Sequence, residues 1–144
     1  MLVHGTAVRF EGKGLLIKGP SGSGKSDLAL RLIDKGAVLV RDDQQLIRQT
    51  DKGLEMATPE RLQGLLEVRG VGIVQVPYEV TCQMEMIVTL KERKDIDRLP
   101  NTQFDKYFGI QIPKICLHAF DQSAPLKISL MLTEKYPIVD IDGE

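Results

Sequence analysis

Two acidic residues, Asp42 and Asp43, stand seventeen and eighteen positions after Lys25, which is the seventh residue of the run Gly19-Pro20-Ser21-Gly22-Ser23-Gly24-Lys25-Ser26. Glycine at the first and sixth places, lysine at the seventh and serine at the eighth make the full pattern of a phosphate cradle. Each residue type has a mechanical reason. Glycines allow backbone conformations that side chains forbid, so that successive N–H groups can converge on an anion. Lys25 brings a point charge to the β- and γ-phosphates, and the Ser26 hydroxyl suits Mg²⁺. The aspartates add a second chemistry. One carboxylate can support a metal and its waters while its neighbour accepts a proton from an attacking hydroxyl. Together these residues imply phosphoryl transfer from a magnesium nucleoside triphosphate, with the acceptor left open.

The elements that must hold these residues follow from the hydrophobic pattern. Leu2 to Phe10 alternates as one strand, and Leu15 to Lys18 predicts a second strand that feeds the cradle. Ser26 to Asp34 predicts a helix with Leu28, Leu32 and Ile33 on one face and Gly36 as its stop. Its start adds the positive end of a helix to the phosphate site. Ala37 to Val40 is a continuous apolar run, as in a buried strand, and delivers the two aspartates just past its end. Further along, Gln45 to Ala57 predicts a hairpin folded at Asp51-Lys52-Gly53. Leu65–Val68 and Ile73–Val76 flank a glycine turn, and Met84–Leu90 is another strand. Residues 91–98 are a charged segment. Ser123 as cap and Pro125 in the first turn predict a second helix, and residues 136–144 read as a closing loop. The expected fold is α/β, a P-loop-containing mixed β-sheet with few helices, in a single domain over residues 1–144.

Composition narrows the partners. Of the 144 residues, 42% are hydrophobic and 27% charged, as in a globular domain, and the formal net charge of -1 lacks the basic excess of a nucleic-acid binder. No apolar run is long enough to cross a membrane, and the charged, alternating N-terminus is not a signal peptide. Cys82 and Cys116 lie in separate apolar segments, which reads as two buried free thiols of a cytoplasmic protein. No Asn-Lys-x-Asp run is present to read a guanine base.

An ordered set of motifs goes further, because together they resemble the HPr kinase/phosphorylase family. They are His4-Gly5, a glycine turn, the cradle, a short helix ending in Lys35-Gly36, Val40-Arg41-Asp42-Asp43, the block LLEVRGVGIV from Leu65 to Val74, Asp97-Arg98-Leu99, and Ile112-Pro113-Lys114-Ile115. The resemblance covers essentially the whole chain as the catalytic domain alone, like the short form known from some proteobacteria. It implies a core like that of HPr kinase and PEP carboxykinase. It also implies an ATP- and Mg²⁺-dependent serine kinase acting on the phosphocarrier protein HPr in phosphotransferase-system regulation, with phosphorolysis as the reverse direction. By the same resemblance Ser26 and Glu67 bind metal and Lys25 holds phosphate. Asp43 takes the proton of the substrate serine with Asp42 in support, and His4, Arg98 and Arg69 belong to the active site, Arg69 together with Gly70 and Gly72. A homo-oligomer, the hexamer of the longer relatives, is implied as well.

One block departs from the family. Where the longer relatives carry a basic, glycine-containing run associated with phosphorolysis, this chain reads CLHAFDQSAP, with no arginine or lysine before Lys127. The kinase direction is therefore the better supported. Two other readings fit the residues: a P-loop kinase for a small metabolite, and a non-catalytic module that senses ATP. The second has less use for Lys25, Ser26, Asp43 and Glu67 all together.

Overall fold

The computed structural model describes residues 1–139; the remainder of the C-terminal loop read from the sequence, 140–144, lies outside the described residues. In chain order the elements are β1 (Leu2–His4), β2 (Thr6–Phe10), β3 (Lys13–Lys18), α1 (Lys25–Asp34), β4 (Val38–Arg41), β5 (Gln44–Thr50), β6 (Gly53–Ala57), β7 (Leu65–Val68), β8 (Gly72–Gln75), β9 (Thr81–Gln83), β10 (Met86–Leu90), β11 (Gln103–Tyr107), β12 (Ile110–Leu117) and α2 (Ala124–Thr133). Short 3₁₀ turns occupy Glu60–Leu62 and Arg93–Asp95. The expected mixed α/β fold with few helices is what the chain adopts.

The apolar runs that lack alternation form the centre of a six-stranded sheet, ordered β11-β12-β10-β3-β2-β4. Within it β10 runs parallel to both β3 and β12, while β2 is antiparallel to β3 and β4. Both faces of this sheet are covered. Val8, Leu15, Ile17, Leu39 and Val88 join the core beneath the helices, where Leu28, Ala29, Leu32, Ile128 and Leu132 pack. Their neighbours Ala7, Leu16, Val40 and Ile87 point the other way, onto Ile47, Leu54 and Met56 of a second sheet, ordered β1-β5-β6-β9. A strand buried on both faces has no polar side to show, so its sequence reads as a continuous apolar run. The β7–β8 hairpin forms a third, two-stranded sheet and sends Leu66 and Val74 into the helix-side core.

Several boundaries differ from the sequence reading. Leu2 to Phe10 is not one strand, because at Gly5 the chain leaves the four-stranded sheet and enters the six-stranded one. A side chain at Gly5 would not fit, since its Cβ would lie 2.8 Å from both the Ile17 carbonyl oxygen and Leu16 Cδ1. We expect Gly5→Ala to cost about 1–3 kcal/mol, the usual range for overpacking a tight interior, measured by chemical denaturation. A change under ~0.5 kcal/mol, the size typical of neutral surface substitutions, would show that the corner yields freely.

The hairpin β11–β12 and the short strand β9 have no counterpart in the sequence reading. The turn between β11 and β12 is Phe108-Gly109, both left-handed at φ 51° and 77°. Asparagine or aspartate usually marks the first of these positions, and phenylalanine there hides the turn. Ser123 does stand at the start of α2, but its side chain makes no capping bond. The Ala124 amide instead donates to the Asp121 carbonyl at 3.1 Å. Both cysteines are free but half-buried rather than buried. Burial pushes the Cys82 thiol up to about 11, so it stays protonated and unreactive near neutral pH.

Candidate active site

The chain crosses between the two large sheets at two neighbouring corners, Gly5 after β1 and Asp42-Asp43 after β4. The corners are tied together: the Gly5 amide donates to the Asp43 carbonyl at 2.9 Å, and the buried Gln45 side chain donates from Nε2 to the carbonyls of Gly5 (3.0 Å) and Arg41 (2.7 Å). The end of β3 and the start of α1 place the cradle against this junction. Gly22 and Gly24 take left-handed conformations (φ 81° and 100°), and Gly24 is the residue from which α1 starts. Only glycine holds such angles without strain. The Lys25 ammonium folds back over the loop and donates to the carbonyls of Gly19 (2.8 Å) and Pro20 (3.2 Å).

Asp42 is where the cradle meets the corner. Its Oδ1 accepts from the Ser26 hydroxyl at 2.9 Å and from the Thr6 hydroxyl at 2.9 Å, and its Oδ2 accepts from the Glu67 amide at 3.3 Å. Asp43 differs in every respect. It is exposed and left-handed (φ 70°), its amide donates to Thr6 Oγ1 at 3.4 Å, and its carboxylate makes no hydrogen bond among the described residues. The consequence is a division of labour: one carboxylate fixed against a cradle hydroxyl, the other presented to solvent beside it. His4 faces Gln44 across the β1–β5 pairing, so it stands on the strand next to Asp43.

The remaining sequence-predicted residues are placed more loosely. Glu67 is on β7 and enters the site through its backbone amide, while its side chain is exposed. Arg69 lies past the end of β7, in the exposed turn with Gly70, and forms no ion pair with Glu67 among the described residues. Arg98 is exposed in the loop ahead of β11, and no hydrogen bond or ion pair among the described residues ties it to the cradle. Sequence reasoning missed Thr6 and Gln45, both fully buried and both bonded into the corner. Thr6 left one signal, a lone hydroxyl opening the apolar stretch TAVRF.

The donor set fits a magnesium triphosphate. An ammonium, a serine hydroxyl beside a carboxylate, and the amide-rich start of a helix are what such a ligand needs. The packing points the same way. Buried side-chain polar atoms without a partner are rare in folded proteins, and those found among the described residues are Ser23 Oγ in the cradle and Arg41 Nε and Gln45 Oε1 in the corner.

Comparison with known proteins identifies the family. The model of the "HPr Serine kinase C-terminal domain" matches residues 1–124. The chain belongs to that family. Among its curated relatives, an HPr kinase/phosphorylase of Caldicellulosiruptor bescii is 36% identical over 126 residues, covering 79% of this chain and 40% of the relative. Another, from Exiguobacterium sibiricum, is 49% identical over 75 residues, covering 51% of this chain and 24% of the relative. The solved Hpr(Ser) kinase/phosphatase of Coxiella burnetii superposes with a TM-score of 0.83 at 26% identity, covering 93% of this chain and 89% of that one. The chain thus spans about two-fifths of the length of the curated HPr kinase/phosphorylase relatives that it matches over most of its own length. Among the described residues no helix is long and apolar enough to cross a membrane.

Proposed function

We propose that this domain transfers the γ-phosphoryl group of magnesium ATP to a serine hydroxyl of HPr. The observation that carries the reading is the 2.9 Å contact between Ser26 Oγ and Asp42 Oδ1, with the uncommitted carboxylate of Asp43 next to it. Membership of the HPr serine kinase family supplies the acceptor.

Ser26, Asp42 and Glu67 are the residues that would hold Mg²⁺, which when bound neutralises charge on the phosphate oxygens. Among the described residues no group of three or more His, Cys, Asp or Glu gathers as a metal cage. That suits Mg²⁺, which is usually held by one or two carboxylates together with substrate phosphates. Gly19 to Ser26 bind the triphosphate. The Asp43 carboxylate takes the proton from the serine hydroxyl as that oxygen bonds to the γ-phosphorus and the bond to the bridging oxygen of ADP breaks. Lys25 and Arg98 balance the charge that spreads over the transferring group. His4, paired with Gln44 on the strand that follows Asp43, belongs to the same site, and Arg69 with Gly70 and Gly72 presents the acceptor from the β7–β8 turn. Val71 and Ile73 in that hairpin are 73% and 71% exposed, an apolar surface suited to a protein substrate. A homo-oligomer is part of the same reading.

The kinase direction has more support from these residues than phosphorolysis does. Near the loop that follows β12, Arg93 and Arg31 are both engaged: Arg93 binds Asp121 Oδ1 at 2.6 Å, and Arg31 donates to the carbonyls of Ala119 and Asp121. Neither stands free to hold inorganic phosphate.

The test uses Mg-[γ-³²P]ATP with HPr and with HPr whose acceptor serine is alanine. Label on the first alone is the expected result. Label on neither, with ATP bound normally, would reject HPr as the acceptor. Phosphate transfer to a metabolite instead would support the small-molecule kinase, and no transfer at all would support the ATP sensor.

A further inference from the structure

The three parallel strands β3, β10 and β12 end on one edge of the sheet, and each is followed there by a loop: the cradle, Lys91–Asp95, and His118–Asp121. Ligands of such sheets gather outside the carboxyl ends of the strands. The third loop has no part in the proposed chemistry, yet it abuts the cradle. A Cβ on Gly24 would come within 2.8 Å of Ala119 Cβ and 2.9 Å of Phe120 Cζ. One edge of the Phe120 ring therefore rests where the cradle turns into α1. The ring is nonetheless 55% exposed, while its neighbour Ala119 is wholly buried.

This exposure does not come from a loose loop. The Arg31 guanidinium donates to the Ala119 carbonyl and, at 3.2 Å, to that of Asp121. Arg93 grips the Asp121 carboxylate at 2.6 Å, and the Asp121 amide returns to the His118 carbonyl at 3.2 Å. His118 is fixed by its Nδ1, which bonds the Lys91 carbonyl at 3.0 Å, and its ring stands edge-on to Phe120 with centroids 5.8 Å apart. The fold holds an aromatic ring rigidly beside a phosphate site and leaves it open to water.

We propose that Phe120, backed by His118, is the platform on which the base of the bound nucleoside triphosphate stacks. The proposal rests on the reading of Gly19–Ser26 as the triphosphate cradle and adds the part of the ligand that the cradle does not touch. A base has a π-face whatever its edge pattern, and a ring already fixed in place loses little freedom on stacking. The departure from the family's basic run thus has a use: at this position the chain offers a face for the base rather than a charge for phosphate.

The sequence contains no tryptophan, so Phe120→Trp installs a single tryptophan whose emission can be excited apart from the three tyrosines. Magnesium ATP and magnesium tripolyphosphate are the two probes, with affinities measured for the unmodified protein, Phe120→Ala and Phe120→Trp. Phe120→Ala should weaken ATP on the order of tenfold and leave tripolyphosphate unchanged. The fluorescence of Phe120→Trp should respond to ATP and not to tripolyphosphate. Unchanged ATP affinity in Phe120→Ala, an equal loss for both ligands, or the same fluorescence response to both would overturn the platform and leave the cradle standing. Binding of neither probe to the unmodified protein would remove the cradle reading, and the platform with it.

Discussion

Asp43→Asn should lower turnover on HPr by about 10²–10⁴-fold, the usual contribution of a positioned general base, while ATP affinity stays within a few-fold of the unmodified protein. The asparagine keeps the shape and loses the proton acceptor. Asp43 is suited to that role because nothing among the described residues uses its carboxylate: its amide and carbonyl are bonded to Thr6 and Gly5, and its side chain is exposed. The left-handed backbone at φ 70° should tolerate the change, since asparagine is among the residues that enter this region most readily. Single-turnover phosphorylation of HPr, with ATP binding measured in parallel, gives the result directly. Near-normal turnover would reassign the base, and loss of ATP binding would make Asp43 a part of the cradle instead.

The second large effect is expected at Lys25. Lys25→Ala should weaken ATP by about 10- to 100-fold, the equivalent of one charge-assisted hydrogen bond, and should lower turnover further. Turnover suffers more because negative charge on the transferring group is spread differently in the transition state, and an ammonium held at that point meets it there. The lysine is half-buried and donates to Gly19 and Pro20, so the loop itself also loses two contacts. Lys25→Arg separates the two effects: it keeps the charge but cannot keep the compact geometry of an ammonium. Full activity in Lys25→Ala would remove the phosphate role from the cradle. An unfolding midpoint that fell with activity would assign the loss to the loop.

What the sequence determined by itself was local. The eight residues of the cradle, the helix that follows and the strand that ends in two aspartates depend on glycine's conformational freedom, on the 3.6-residue period and on a doubly buried strand's apolar run. All of these are visible within thirty residues. The ordered motifs extended that to a family, because spacing along the chain survives without coordinates. The tertiary structure decided what depends on distant partners. Asp42 and Asp43 are chemically alike and adjacent, and they part company because the Ser26 hydroxyl, sixteen residues earlier, Thr6, thirty-six earlier, and the Glu67 amide, twenty-five later, all bind the Asp42 carboxylate. The break at Gly5 required two sheets to exist before it had meaning. The β11–β12 hairpin stayed hidden because a phenylalanine fills a turn position that usually announces itself, and because Pro113 interrupts the apolar run just ahead of the register with β10 that begins at Lys114. CLHAFDQ read as a stretch without arginine or lysine. Folding lays it against Gly24, and packing rather than pattern makes Phe120 part of the cradle's surroundings.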